Sequence, residues 1–325
     1  MSNRQLVTDE SVEKLLPISV IIPIYNGEKD LPQLIECLEK QTYPQELVEY
    51  LLVDNNSKDR TSEILAEAAI KATEKGINLQ HLTESKIQSS YAARNLGIRR
   101  SQYDILAFTD ADCRPHPNWL KELIEPFSRA QIGIVVGEII ALMGNSILEQ
   151  YADNKELMSQ KFLIEHSFCA YGQTANIAIR KQAFTEVGLF RPYLTTGGDA
   201  DICWRIQRET KWQLKYAPQA IISHRHRSNF QTFRKQFHRY GCSNKYLHEL
   251  HGVSLMRELT TKEIVYRLSR WLVKEIPKNS LKLLRGKASA IELINTPIDL
   301  VGFHARTQGQ KFSKLPEEAK QIELL

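Results

Sequence analysis

Short apolar runs alternate with longer amphipathic segments along the first third of the chain. The runs lie at 17–23, 50–53, 78–82 and in the run that ends at Phe108, and the first is rich in β-branched residues, which favours a buried strand. Between them, apolar residues recur at helical spacing, which predicts helices that begin near Asp30, Thr61 and Ser89. Asp30 is the expected cap of the first helix, and Ser89 or Ser90 that of the third.

Strands that alternate with helices predict right-handed βαβ units, and hence an α/β fold with a mostly parallel central sheet flanked by helices. In such sheets a ligand binds outside the carboxyl ends of the strands. Asn26, Asp54, Asp110 and Asp112 all follow predicted strands. Each is also an ordinary turn residue, but their coincidence at one edge predicts a binding site there.

Asp110 and Asp112 are two carboxylates that directly follow a predicted strand, one residue apart. Side chains at i and i+2 of a strand point to the same side, so both can face one crevice. Two carboxylates this close repel each other unless a cation lies between them, and Mg²⁺ prefers such oxygen ligands. The pair predicts a metal site, with an acidic turn as the structural alternative.

The middle of the chain continues with both kinds of element. Helices are expected at 117–128, 147–164, 180–187 and 202–206, and strands at 132–137, 139–142, 175–179 and 220–223. A glycine-hinged acidic turn precedes the 202–206 helix, where Asp199 and Asp201 favour the helix dipole. The strand at 220–223 leads into His224 and His226.

The pattern changes beyond about residue 250, where the sequence becomes helical and rich in lysine. One apolar face is formed by Ile264, Val265, Leu268, Trp271 and Leu272. Basic residues surround this face, so it is compatible either with packing on the main domain or with contact to an anionic membrane. We divide the chain into an N-terminal arm (1–16), a main domain (17–250) and a helical, basic extension (251–325).

The composition is that of an ordinary globular protein, with 325 residues, 42% hydrophobic and 25% charged residues and a net charge of +5. This modest charge does not predict nucleic-acid binding. The five cysteines include no C-x-x-C pair, which indicates reduced thiols in the cytoplasm. No signal peptide and no apolar run of about 20 residues is visible, so we expect a cytoplasmic protein, either free or peripheral at the inner face of the membrane.

Five blocks of the sequence, in order, resemble the family 2 glycosyltransferases, which have the nucleotide-sugar-binding GT-A fold. The blocks are residues 19–26, 51–61, 92–97, 108–112 and 197–201. Each block is short, but their order and spacing make the resemblance specific, and it covers about residues 17–245. The resemblance implies a GT-A domain, with the helical C-terminal extension outside it.

The resemblance also implies a nucleotide pocket at the ends of the first strands. Pro23, Tyr25 and Asn26 would line it. Asp54 would accept a hydrogen bond from the base or the ribose, which a carboxylate does well. Arg94 would lie by the base or the diphosphate.

The metal motif of the family is matched by the fourth block. Asp110 would lie close to the ribose and the diphosphate, and Asp112 would bind the metal directly. His224 or His226 matches a histidine that completes the metal site in related enzymes, and we favour His224. The structural alternative for these histidines is an ordinary basic loop.

The fifth block implies the catalytic base. Asp199 matches the family's base, but the family usually has Glu-Asp here, and this chain has Gly198 in the first position. Asp199 is therefore the only carboxylate of the pair. Asp201 is expected to order the loop or cap the helix. The segment 230–245 resembles a gate over the diphosphate, with an amphipathic surface helix as the alternative.

The implied activity is that of an inverting glycosyltransferase of the hexosyltransferase type (EC 2.4), with Mn²⁺ or Mg²⁺ as cofactor. The metal would neutralise the leaving nucleoside diphosphate, and one carboxylate would take the proton of the acceptor hydroxyl. The donor would be a nucleotide-diphosphate sugar, and the acceptor a sugar, a lipid-linked sugar or a protein. Polysaccharide or glycolipid biosynthesis is the expected setting.

Two other functions compete with this hypothesis. A nucleotidyltransferase would need a glycine-rich, basic loop after the first strand, whereas residues 25–28 contain one glycine and an acid. A non-catalytic protein that only binds sugar nucleotides would be expected to lose the metal or base carboxylates. Both kinds of carboxylate are present here.

Overall fold

The structure is a computed structural model that describes residues 15–286 and 289–325. The predicted N-terminal arm therefore lies outside the described residues up to position 14. One sheet contains eight strands, in the order β3-β2-β1-β4-β7-β6-β8-β5. Their bounds are β1 Ile18–Ile24, β2 Val48–Asp54, β3 Asn78–Thr83, β4 Ile105–Phe108, β5 Cys113–Pro115, β6 Ile132–Ala141, β7 Ile177–Arg180 and β8 Gln213–His224.

The sheet is mostly parallel, as predicted. The strands β3, β2, β1 and β4 run parallel to one another, and β6 is parallel to β8. The short strand β7 runs antiparallel between β4 and β6, and β5 is antiparallel to β8 at the edge. The carboxyl ends of β1, β2 and β4 consequently meet at one edge of the sheet, where the polar residues of the sequence were expected.

Helices cover both faces of the sheet and form the C-terminal region. Their bounds are α1 Leu31–Glu39, α2 Thr61–Glu74, α3 Ser90–Arg100, α4 Trp119–Ile124, α5 Ile147–Asn154, α6 Lys161–Ile164, α7 Lys181–Val187, α8 Gly198–Glu209, α9 Phe230–His251, α10 Thr261–Arg270, α11 Ile276–Leu284 and α12 Asn295–Phe312. Alternation along β1 separates the two cores. Val20 and Ile22 pack with α1 and α4, and Ile21 packs with the layer of α3, α7 and α8.

Several predicted elements have different bounds in the structure. The helix predicted at 147–164 is broken into α5 and α6, because the chain leaves the helical conformation after α5, where Glu156 adopts a left-handed φ of 49°. The strands predicted at 132–137 and 139–142 form one strand, β6, with an irregularity between Gly137 and Glu138.

The acidic turn of the sequence is also part of a helix. Helix α8 begins at Gly198, directly after Gly197 with a φ of 84°, so Asp199 and Asp201 lie in its first turn. The expected cap Asp30 makes no capping hydrogen bond. Its carboxylate pairs with Arg114 at 2.7 Å instead, because an ion pair to a nearly buried guanidinium is available. Ser89 does cap α3, by accepting a hydrogen bond from the Tyr91 amide.

The C-terminal region contains two different layers. Helix α12 packs along α9, and glycines allow the close approach, since a Cβ at Gly241 would lie 1.9 Å from the Arg306 carbonyl oxygen. Helices α10 and α11 are joined by one π-helical turn, Trp271–Glu275, and neither has a buried residue. In residues 15–286 and 289–325, no helix has both the length and the apolar character needed to span a bilayer.

Candidate active site

The loops after β1 and β2 are joined to each other at the carboxyl edge of the sheet. Ile24 pairs with Asp54 in register, so the two loops start side by side. The side-chain oxygen of Asn26 accepts a hydrogen bond from the Lys58 amide at 2.8 Å, and the Asn26 amide donates to the Ser57 hydroxyl at 2.9 Å. Asn26 has a φ of 52°, which asparagine tolerates better than most residues. Its side chain therefore holds the loops together.

A cavity of about 600 Å³ opens beside these loops. It is lined by Tyr25, Asn55, Lys86, Ile87, Gln88, Ser89, Ser90, Pro192, Tyr193, Leu194, Thr195 and Arg239. Tyr25 is 52% exposed and offers its ring to this space, whereas Pro23 lies buried within β1. Asp54 is buried next to the cavity, and one of its oxygens accepts the Ser57 amide at 3.1 Å. The cavity combines aromatic and amide groups of the kind that bind a nucleotide base.

An ion pair connects α3 with the loop after β4. The Arg94 guanidinium lies 2.6 Å from an oxygen of Asp110, and Arg94 is nearly buried. The buried Nε of Arg94 has no hydrogen-bond partner among the described residues. A charged donor without a partner in this position is suited to an anionic ligand.

Asp112 and His224 lie together because β5 and β8 are neighbours. Cys113 pairs with His224 across these antiparallel strands, and the His224 Nε2 lies 3.4 Å from Asp112. Burial opposes ionisation of Asp112, but the hydrogen bond and charge of His224 outweigh it and lower the pKa of Asp112 to about 2. Burial alone would lower the pKa of His224. The hydrogen bond and the charge of Asp112 outweigh burial, so the pKa of His224 is raised above its ordinary value.

These residues fit a divalent cation. One ligand atom from each of Asp112, Cys113 and His224 lies within 4.8 Å of the others. The buried Nδ1 of His224 has no partner among the described residues, so this ring nitrogen is available to a ligand. Burial raises the pKa of the Cys113 thiol well above its usual value, which keeps it neutral and a poor ligand. Carboxylate and imidazole donors therefore dominate the cluster. The carboxylate suits Mn²⁺ or Mg²⁺, and the imidazole suits a transition-metal ion.

Asp199 lies half-buried in the first turn of α8, close to the Arg94 and Asp110 pair. The Thr174 hydroxyl donates a hydrogen bond to its carboxylate at 2.8 Å. Burial raises the pKa of Asp199, although the charge of Arg94 acts in the opposite direction. A carboxylate with a raised pKa has a stronger affinity for a proton, as a general base requires.

The ring of Tyr91 explains why glycine occupies the position before this base. A Cβ at Gly198 would lie 2.6 Å from the Tyr91 ring, and the Gly198 amide donates to the Tyr91 hydroxyl at 2.9 Å. The sequence analysis missed both Tyr91 and Thr174. Tyr91 lies one helical turn before Arg94, and this spacing was the available signal. Thr174 lies in a loop, and the sequence contained no signal that pointed to it.

Asp201 faces away from this site. Its carboxylate accepts hydrogen bonds from Arg191 at 3.0 Å and Arg205 at 3.1 Å, and its Oδ1 lies 2.9 Å from the His251 Nε2. Burial opposes ionisation, but the hydrogen bond with His251 and the two guanidinium charges outweigh it and lower the pKa of Asp201 to about 2. These contacts give Asp201 a structural role that connects α8 with the end of α9.

His226 is buried and lines a separate cavity of about 300 Å³ with Glu138 and Asp153. Burial and the neighbouring charge of His224 lower its pKa to about 4, so its ring is neutral near pH 7. Of the two histidines, only His224 belongs to the cluster with Asp112 in the described part of the chain.

Sequence comparisons define the class of this protein. Residues 19–188 match the model of glycosyl transferase family 2, and residues 105–285 match that of glycosyl transferase family group 2. The chain is 34% identical over 264 residues to the glycosyltransferase AglE of Haloferax volcanii. The aligned region covers 80% of this chain and 82% of that protein. The chain belongs to glycosyl transferase family 2, and it is a glycosyltransferase.

Two further similarities are informative. A Methanococcus voltae protein, a dolichyl N-acetyl-alpha-D-glucosaminyl phosphate 3-beta-D-2,3-diacetamido-2,3-dideoxy-beta-D-glucuronosyltransferase, is 27% identical over 239 residues, 70% of this chain and 72% of its own. The mannosyltransferase PcManGT of Pyrobaculum calidifontis, solved with GDP-Man and Mn²⁺, superposes with a TM-score of 0.65 at 15% identity, over 93% of this chain and 89% of its own. The fold is GT-A, as the sequence predicted.

Proposed function

We propose that this glycosyltransferase is metal-dependent and inverting, and that it moves a sugar from a nucleoside diphosphate to an acceptor hydroxyl. The observation that carries the proposal is the meeting of two different acidic sites at one sheet edge. The Asp112 and His224 pair offers metal ligands, and Asp199 offers a base with a raised pKa. Arg94 and Asp110 lie between them.

The donor would occupy the cavity beside Tyr25. The base would stack against the Tyr25 ring, and Asp54 would accept a hydrogen bond from the base or ribose. Asp110, held by Arg94, would contact the ribose end of the diphosphate. The likeness in fold to a protein solved with GDP-Man supports a donor of this chemical class.

The metal would be held by Asp112 and His224. A divalent cation at this position supplies neutralisation of the negative charge that builds up on the leaving diphosphate. Arg227 adds a positive charge near Asp112, which favours binding of an anion beside the pair. The structural neighbour solved with Mn²⁺ is consistent with Mn²⁺ as the preferred ion.

Asp199 would act as the base in a single displacement. The acceptor oxygen forms a bond to the anomeric carbon while the bond from that carbon to the diphosphate oxygen breaks. The acceptor proton passes to Asp199, and the nucleoside diphosphate leaves with the bonding electron pair. Thr174 fixes the carboxylate for this transfer, since its hydroxyl donates to it. Attack opposite to the leaving group inverts the anomeric centre.

A panel of sugar nucleotides tests this proposal, with Mn²⁺, Mg²⁺ or EDTA and with nucleotide release and product anomeric configuration as readouts. The variants Asp112→Ala and Asp199→Asn are compared with Asp104→Asn, an exposed aspartate at the opposite end of β4. We expect metal-dependent release that both site variants lose and the control retains. Folded protein that binds none of the donors would contradict the proposal. Release of sugar 1-phosphate with a nucleotidylated product would indicate a nucleotidyltransferase, and donor binding without transfer to any acceptor would indicate a scaffold.

We also propose peripheral contact of residues 251–325 with a membrane. The segment 261–286 carries seven basic and two acidic residues. Val265, Tyr266, Leu272 and Val273 on it are 57–79% exposed. An exposed apolar face with a basic surround suits an anionic lipid surface. Such a placement at the inner face of a membrane fits glycolipid or polysaccharide synthesis, and the M. voltae relative is named for a dolichyl phosphate-linked acceptor.

A further inference from the structure

A groove of about 570 Å³ runs between α9 and α12. It is lined by Gln231, Arg234, Lys235, His238, Arg239, His304, Ala305 and Gln308. The close crossing of the two helices at Gly241 and Gly309 closes one end of the groove, since a Cβ at Gly309 would lie 2.0 Å from the His238 carbonyl oxygen. The groove is thus a fixed feature of the helix pair.

The lining of this groove contains no acidic residue. Arg234, Lys235 and Arg239 are exposed, and among the described residues none of them has a carboxylate within 4.0 Å. His238 and His304 add two imidazoles. Clustered cations repel one another in the absence of a counter-charge, so the groove has a strong preference for an anion.

Arg239 connects this groove with the candidate active site. It lines both the groove and the cavity beside Tyr25. Its guanidinium donates to the Thr195 carbonyl at 3.4 Å, just before α8, and its charge acts on Asp199. An anion in the groove would therefore lie next to the acceptor side of the candidate base.

We propose that this groove binds the phosphate or diphosphate of a lipid-linked acceptor, while the acceptor sugar reaches Asp199. This inference rests on the proposed function and names its acceptor class. Arginine and lysine together recognise phosphate oxygens well, because guanidinium groups bind two oxygens at once. Helix α10 contacts α12, so the lipid chain would leave the groove toward the exposed apolar face of α10 and α11.

Binding of geranyl diphosphate, measured calorimetrically in EDTA, tests the groove without turnover. Without metal, the negative charges of Asp110, Asp112 and Asp199 disfavour binding of this anionic probe at the donor site. Inorganic pyrophosphate and geraniol serve as the two halves of the probe. We expect geranyl diphosphate to bind more tightly than either, and Arg234→Gln combined with Lys235→Gln to weaken it about tenfold.

The matched control removes one exposed arginine and one exposed lysine elsewhere, Arg100→Gln with Lys211→Gln. We expect it to keep the affinity of the wild type. An equal loss in the control, or no binding by the wild type, would overturn the proposal. Equal affinities for pyrophosphate and geranyl diphosphate would contradict the lipid-linked acceptor.

Nucleotide binding separates this inference from the proposed function. UDP and GDP are titrated with Mn²⁺ into both double variants, and we expect wild-type affinities. A loss of nucleotide affinity in the groove variant would assign the groove to the donor diphosphate, as a gate, and refute an acceptor role. A protein that binds geranyl diphosphate in the groove but turns over no sugar nucleotide would refute the proposed function alone.

Discussion

Two opposing effects act on the pKa of Asp199. Nearby cations lower it and burial raises it, and burial is the larger effect. Its pKa in the folded protein is raised above that of an ordinary aspartate, which is about 4. The protonated form cannot accept a proton from the acceptor. At the residue scale, the proposed role of Asp199 as the base therefore predicts that its ionisation controls the pH dependence of the reaction.

The first prediction concerns this pH dependence. At saturating Mn²⁺, we expect the rate of transfer to fall as the pH drops through the pKa of Asp199, which burial raises above that of an ordinary aspartate. Asp199→Asn should lower the rate about 10²–10⁴-fold. The remaining rate of this variant should no longer fall at low pH, so the acid limb of the pH profile should disappear. Steady-state kinetics across pH, with nucleotide affinity as the control, measure both. A variant that retains the acid limb would show that another group titrates.

Asp199 also affects stability. Because its folded pKa is raised, its ionised form destabilises the fold, and this cost is absent at pH values below the unfolded pKa. We predict that Asp199→Asn raises the melting temperature near pH 7 and that the difference disappears as the pH falls below about 4. Calorimetry at both pH values measures it. A lower melting temperature of the variant at pH 7 would contradict the assigned burial.

The third prediction concerns the contact of Gly198 with Tyr91. Gly198→Ala places a Cβ 2.6 Å from the Tyr91 ring, which overpacks the site and should cost about 1–3 kcal/mol. Tyr91→Leu should relieve this clash, so that the double variant loses less than the sum of the single changes by more than about 0.5 kcal/mol. Denaturant unfolding measures the cycle. The same cycle with Leu38→Ala, in the other core, should be additive.

At the scale of elements, a buried charge network joins α8 to α9 and to the loop after α7. Asp201 accepts from Arg191 and Arg205, and Arg205 also donates to the carbonyl oxygens of Val187 and Leu189. The network aligns the helix that presents Asp199 in its first turn. Its loss would therefore disturb the site through the position of α8.

The fourth prediction tests that network. Asp201→Asn leaves two buried guanidinium groups without their counter-charge and should cost about 3–5 kcal/mol of unfolding free energy near pH 7. Because the folded pKa of Asp201 is about 2, this contribution is present above the unfolded pKa, about 4, and is lost as the pH falls toward 2. Urea unfolding at several pH values measures it. Glu36→Gln, which removes an exposed ion pair, should change little.

At the scale of the whole molecule, the proposed membrane contact depends on the exposed apolar face of α10 and α11. Val265, Tyr266, Leu272 and Val273 are flanked by lysine and arginine, and each of these four side chains is 57–79% exposed. Contact with a lipid surface would cover this face and place the groove between α9 and α12 near lipid-linked acceptors.

The fifth prediction tests this contact. Leu272→Asp with Val273→Asp should abolish co-sedimentation with vesicles that contain anionic phosphatidylglycerol, because two charges would enter the apolar layer. Ile70→Asp, an equally exposed apolar residue on α2, is the control and should leave binding unchanged. Binding of the wild type to anionic vesicles should weaken as the salt concentration rises, and its binding to neutral vesicles should be weaker. Wild-type protein that ignores anionic vesicles would contradict the proposal.

The sequence by itself determined the order of the elements up to β4 and the edge of the sheet that carries the candidate site. Apolar runs, helical spacing and the polar residues after strands depend on local chemistry, so Asn26, Asp54 and Asp110 lie at strand ends as expected. The mostly parallel sheet follows from the same alternation. The family blocks added the expected roles, because motif residues are retained as short local strings.

Only the tertiary structure decided which distant residues meet. The family resemblance implied His224 as a partner of Asp112, but their contact comes from the antiparallel pairing of β5 with β8, which no local pattern encodes. Tyr91 fills the space beside Gly198, and Thr174 reaches Asp199 from a loop, for the same reason. The break between α5 and α6 and the cationic groove of α9 and α12 also depend on packing across long sequence separations. Local propensity cannot specify such contacts, because their free energy comes from residues far apart in the chain.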